Sequence, residues 1–210
     1  AFVNFLGEDK DALTVAAGRA GPHWLAWANP DDRETSLLGA ALPDTWRAEC
    51  WYFCPDAKEA GRPRDEFWRG LALLIDLLGG QRIFWSPARL WSDAGEFRST
   101  VAAMQASGMP PVLHLVAFRH RDGPGGARVA TRGLAALAGQ ELEAAVPEGW
   151  DMAAIAIRLA RLAADMMLSG PVLQPRQAPG LTSGEWVALR PQRGIGGAPG
   201  TVLVELRFDR

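Results

Sequence analysis

Two carboxylates, Glu141 and Glu143, stand two residues apart in the segment QELEAAV. In an extended chain residues i and i+2 share a face. Both acids then project to one side, with Leu142, Ala144 and Val146 on the other. Such a pair can hold a divalent cation of the Mg²⁺ or Mn²⁺ type through oxygen ligands, or exchange a proton. It is also, and more commonly, what the wet side of a half-buried strand presents. Just upstream, Thr131, Arg132 and Gly133 fall at a turn. There Gly133 either takes a positive φ or lets another backbone come close. Together with a loop serine or tryptophan, these residues could wall a polar pocket.

The other reactive types form no second centre. There are three histidines. His114 falls mid-strand on the face of Val112, Val116 and Phe118 and is expected to be a core histidine with one hydrogen bond, while His23 and His120 fall at strand ends. No H-E-x-x-H and no ligand-spaced His/Cys pair occurs, so no metal site is expected. No G-x-S-x-G elbow marks an α/β-hydrolase. Cys50 and Cys54 share one strand face, ~13 Å apart at ~3.3 Å per residue, beyond the ~7 Å a disulfide spans. They are expected to be buried, inert thiols in a reducing, cytoplasmic setting. Gly194-Ile195-Gly196-Gly197 superficially resembles a dinucleotide turn, but two strands flank it and no helix follows to hold a pyrophosphate. No cofactor is expected.

Tryptophan is abundant, nine against one tyrosine. Trp85 and Trp91, with Ser86, Arg89 and Ser92 beside them, fall where a strand–helix–strand unit opens into a loop. That edge of a mixed sheet is a usual ligand position. The same residues can also be core caps.

The elements that must position these residues follow from periodicity. Ala1–Leu6, His23–Ala28, Thr35–Leu42 and Arg47–Cys54 read as strands, and Asp9–Ala20 as a helix. Lys58–Arg64 is a loop. After Asp65 as cap, Phe67, Leu71, Leu74, Ile75 and Leu78 make a helical stripe closed by Gly79-Gly80. Arg82–Trp85 then completes a strand–helix–strand crossover, which favours a parallel pair. Ser86–Trp91 reads as a loop. Ser92 or Asp93 caps a helix with Phe97, Val101 and Met104 inward and Gly108 at its end. Val112–Phe118 reads as a strand and Arg119–Ala127 as an exposed connector. Asp151 caps the longest helix, Met152–Ser169, with Met152, Ile155, Leu159, Leu162 and Met166 inward and an Arg161–Asp165 pair outward. Leu173–Gly184 is a loop, and Glu185–Leu189 with Thr201–Phe208 make a terminal hairpin. The expected architecture is α+β: one domain over residues 1–210, a mixed sheet and three to four helices.

Composition narrows the function classes. A net charge of −2 gives no field for nucleic acid. Of the 22 basic residues only Lys10 and Lys58 are lysine, a bias that fits a GC-rich genome. No apolar run reaches the ~20 residues of a membrane span, and no signal peptide is expected.

The pattern Thr131-x-Gly133-Leu134, followed by Gln140-Glu141-Leu142-Glu143, resembles the signature of a bacterial family known only as a domain of unknown function. The strand Ala48–Cys54, the leucine-rich helix Phe67–Leu78, Trp85-Ser86 and Pro110-Pro111 align with it in order, over about three quarters of the chain. A more distant, architectural likeness is to suppressor-of-fused-like domains, several of which neutralise bacterial toxins. The resemblance implies a fold and a signature surface at Thr131, Arg132, Gly133, Glu141 and Glu143; Trp85, Ser86 and Trp91 at the sheet edge are the other candidate binding residues. The expected function is a regulatory or interaction module that binds a protein partner, its oligomeric state unread. The alternative is a small hydrolase or ligand-binding enzyme using Glu141 and Glu143 with a divalent cation.

Overall fold

A computed structural model describes residues 2–4, 23–28, 50–55, 65–78, 81–85, 87–123, 125–194 and 199–208. The chain is α+β, as its periodicity predicts. A six-stranded mixed sheet runs in the order β6-β7-β8-β11-β10-β9. Its strands are β6 (Ala117–Gly123), β7 (Gly126–Arg132), β8 (Gln140–Ala145), β9 (Arg176–Pro179), β10 (Glu185–Gln192) and β11 (Gly200–Phe208). Only β8 and β11 pair in parallel, Gly200 against Gln140; every other neighbour is antiparallel. A five-stranded sheet has the order β2-β3-β1-β4-β5, from β1 (Phe2–Asn4), β2 (His23–Ala28), β3 (Cys50–Pro55), β4 (Arg82–Trp85) and β5 (Leu90–Asp93). Three long helices are described, α1 (Asp65–Leu78), α2 (Ala94–Ser107) and α5 (Met152–Ser169), with two single turns, α3 (Val112–Leu115) and α4 (Ala135–Ala138). No described helix is long and apolar enough to cross a membrane.

Capping chemistry fixes the helix ends where the sequence placed them. The Asp93 carboxylate accepts from the N–H groups of Gly95 and Glu96, and Gly108 closes α2 at φ 70°. Asp151 accepts from the Ala153 N–H at the start of α5, and Gly170 ends it. The predicted apolar stripe of α5 is inward: Ile155, Leu159, Leu162 and Met166 are buried, and Met152 is partly so. Each fully buried side chain of this size contributes about 1.5–3 kcal/mol. They pack over β6, β7 and β8, against Val129, Leu142 and Ala144. In α1, Leu71 and Ile75 are buried as expected, joined by Trp68. Arg98 of α2 pairs with Asp76 of α1.

Several sequence expectations are corrected. The Val112–Phe118 strand is a helical turn followed by β6. Three apolar residues at i, i+3 and i+4 (Val112, Leu115 and Val116) are buried together, and a strand would have turned Leu115 away from the other two. Backbone bonds from Val112 to Pro110 and from Val116 to Val112 close the turn. The exposed connector Arg119–Ala127 is a hairpin, with Gly123 opposite Gly126. The loop Ser86–Trp91 is shorter than expected, because Leu90 and Trp91 pair with Trp85 and Phe84. The parallel pair is split. β3 and β4 are each antiparallel to β1, which lies between them, so they share a direction without bonding. Inside the predicted 173–184 loop, β9 pairs with β10. Arg161 donates to the carbonyl of Gly180, in place of the expected bond to Asp165. The expected helix 9–20, strand 35–42, loop 58–64, Gly79-Gly80, Ile195–Gly197 and the surroundings of Cys50 and Cys54 lie outside the described residues.

Candidate functional site

The signature is assembled by the step from β7 to β8. The ladder between these strands runs to Ala130 opposite Glu143. Beyond it the Thr131 hydroxyl takes over, accepting from the Leu142 N–H at 2.7 Å and donating to Glu141 Oε2 at 2.7 Å. Glu141 Oε1 accepts from the N–H groups of Gly133, at 2.9 Å, and Ala135, at 3.1 Å. One carboxylate thus satisfies the turn and the first residue of α4, donors that the backbone leaves unpaired at a helix start. Charge-assisted bonds of this kind contribute about 1.5–3 kcal/mol each.

Gly133 meets both demands its position suggested. Its φ is +95°, and an ideal Cβ there would lie 2.6 Å from Ala88 Cβ and 2.8 Å from Ala88 N. Ala88 belongs to the 87–89 turn between β4 and β5. Arg89 in that turn has φ 47°, a costly value for a non-glycine residue. The turn is held from below: the buried Arg119 donates through Nη2 to the carbonyls of Ala88, at 3.3 Å, and Arg89, at 3.1 Å.

The sequence-predicted residues therefore separate. Thr131, Gly133 and Glu141 come together. Glu143 instead pairs with Arg128. Arg132 is half-buried at the end of β7, opposite Ala117. Trp85 and Trp91 are buried in the β4–β5 hairpin, and Trp85 stands edge-on to Trp68 at 5.5 Å, a core arrangement. Ser86 lies outside the described residues. Among the described residues no three His, Cys, Asp or Glu side chains gather as a metal site.

Two features escape sequence reasoning. The first is a buried ion pair. Arg158 of α5 donates from Nε and Nη2 to both oxygens of Glu185, at 2.7 and 2.8 Å. Thr182 adds its hydroxyl at 2.9 Å and its N–H at 3.3 Å. The Arg158 guanidinium also lies 4.8 Å over the Trp150 ring. These bonds, led by those from Arg158, hold the Glu185 carboxyl down to about 2 against burial, which raises it. The clasp fastens the turn before β10 onto α5. Its signal in the sequence is the Thr182-x-x-Glu185 spacing of a capping box, here used in a turn.

The second is a surface pocket of about 390 Å³ lined by Thr100 of α2, Pro110, Pro111, Leu113 and His114 around α3, and Ile157 and Ala160 of α5 among others. Leu113 and Ile157 are 46% and 50% exposed, and Met109 beside the prolines is 49% exposed. His114 is not on a strand; α3 turns it onto the pocket wall. Its Nε2 lies 3.1 Å from Thr100 Oγ1, and its ring meets Phe97 edge-on at 5.6 Å. Burial lowers its pKa, against the opposing pull of Glu96 and Asp93. Helical spacing across α3 and α5 is the only sequence trace of this pocket, and reading 112–118 as a strand erases it.

Compared with protein-family models, curated proteins and solved structures, the chain matches none.

Proposed function

We propose that this chain is a bacterial, cytoplasmic protein-binding module whose partner docks on the face made by α3 and α5. The observation that carries the reading is the apolar rim of the pocket: Leu113 and Ile157 stand about half exposed around an indentation large enough for a side chain. Interface cores are built from such anchors and the pockets that receive them. The cation-dependent hydrolase asks more of the molecule. Glu141 would have to release Thr131, Gly133 and Ala135, and Glu143 its arginine, before either carboxylate could hold an ion.

The test is quantitative capture from the source cells by tagged wild type, Ile157→Asp and, as a control, Leu73→Asp, which alters an exposed leucine on α1. The expected result is a partner retained by wild type and the control and reduced at least tenfold by Ile157→Asp. Equal capture by all three would overturn the docking face.

A further inference from the structure

The polarity of the pocket narrows what can occupy it. The Thr100 hydroxyl has one proton, and the Glu96 carbonyl takes it at 2.9 Å. The contact from Thr100 Oγ1 to His114 Nε2 at 3.1 Å must then be made by the imidazole N–H. That assigns the neutral ring its Nε2–H tautomer and leaves Nδ1 as a bare acceptor. Among the described residues Thr100 is the ring's one hydrogen-bond partner, and burial lowers the ring's pKa, which favours the neutral form. His114 lines the pocket, and the apolar walls beside it named above are proline, leucine, isoleucine and alanine. A site of this kind rejects a second acceptor such as a carboxylate. It admits an apolar group carrying one hydrogen-bond donor, and it discriminates against the same group without the donor, because the acceptor would be desolvated and unpaired.

We infer that the pocket seats a tyrosine or tryptophan side chain of the partner, with its O–H or N–H donated to His114 Nδ1. This rests on the partner-binding reading above, and its test is kept separate from partner capture by using side-chain analogues as probes. The intact chain, labelled with ¹⁵N and ¹³C, is titrated with p-cresol, 3-methylindole, toluene and 4-methylanisole, and the His114 ring nitrogens are observed. The expected spectrum without probe is the Nε2–H tautomer. p-Cresol and 3-methylindole should shift Nδ1 saturably and bind about tenfold more tightly than toluene or 4-methylanisole, the worth of one hydrogen bond. His114→Phe keeps a ring against Phe97 and should bring all four probes to equal affinity. An Nδ1–H tautomer in wild type, or equal binding of p-cresol and 4-methylanisole by wild type, would overturn the inference. If Ile157→Asp still abolishes partner capture in that case, the docking face survives and only the donor-bearing occupant is lost. If donors are selected but capture is unaffected by Ile157→Asp, the pocket's selectivity stands and the protein-partner reading fails.

Discussion

At the corner between β7 and β8, Glu141 spends both oxygens on Thr131, Gly133 and Ala135, and Gly133 lies against the backbone of Ala88. Across α3 and α5, His114 meets Thr100 through Nε2 and lines an apolar hollow. Both regions hold residue types that can do chemistry. The first has used its polar groups to fix backbone, so it is rigid and has little left to offer a ligand. The second has apolar side chains still wet and, by the tautomer inferred above, an acceptor still to be used, which is the condition for binding. Residue type and spacing draw attention to the first region, whereas hydrogen-bond satisfaction separates it from the second.

Breaking the first region should cost stability and nothing else. Gly133→Ala forces a Cβ into Ala88 at a left-handed φ. It is expected to cost more than about 4 kcal/mol, because the obstacle is backbone that cannot swing away. Chemical denaturation should show it, or the variant should not accumulate folded. The Glu185–Arg158 clasp makes a companion test by pH. Glu185 titrates near 2 when folded, against an ordinary 4.5. A depressed carboxyl stabilises above its unfolded value, and that stability is lost as pH falls from about 4.5 toward 2. About 3 kcal/mol should disappear over this window. The double variant Glu185→Gln/Arg158→Met should lack this component of the loss in denaturation at pH 7 and pH 3. Glu141→Gln is expected to cost about 2 kcal/mol, since the amide keeps one acceptor but loses the charge. Against these, Leu113→Asp and Ile157→Asp should change stability by within about 0.5 kcal/mol while removing binding. A large stability loss from either would mean that the face belongs to the core.

Much of the scaffold was legible because local chemistry fixes it. Asp93 and Asp151 cap, Gly108 stops α2, and the stripe of α5 is buried as its spacing says. Gly133 was legible for the same reason, since only glycine combines that φ with that approach. The pocket was not. Its walls come from positions near 100, 110–114 and 157–160, and Val112–Val116 is apolar enough to read as a strand until the burial of Leu115 shows the helical period. Nor was the split of β3 from β4 legible, because it depends on β1 inserting between them, a non-local event. Glu141 and Glu143 share a strand face, so their spacing presents them as one pair. The structure parts them, as different donors reach each.

The most direct test is one backbone amide spectrum of the wild-type chain, titrated first with p-cresol and then with Mg²⁺. Saturable shifts are expected at Thr100, His114, Ile157 and Ala160 with p-cresol, and no shift at Gly133 or Ala135, whose N–H groups report on Glu141, with Mg²⁺. A saturable Mg²⁺ shift at Gly133 and Ala135, with none at His114 from p-cresol, would return the site to the acids and contradict it.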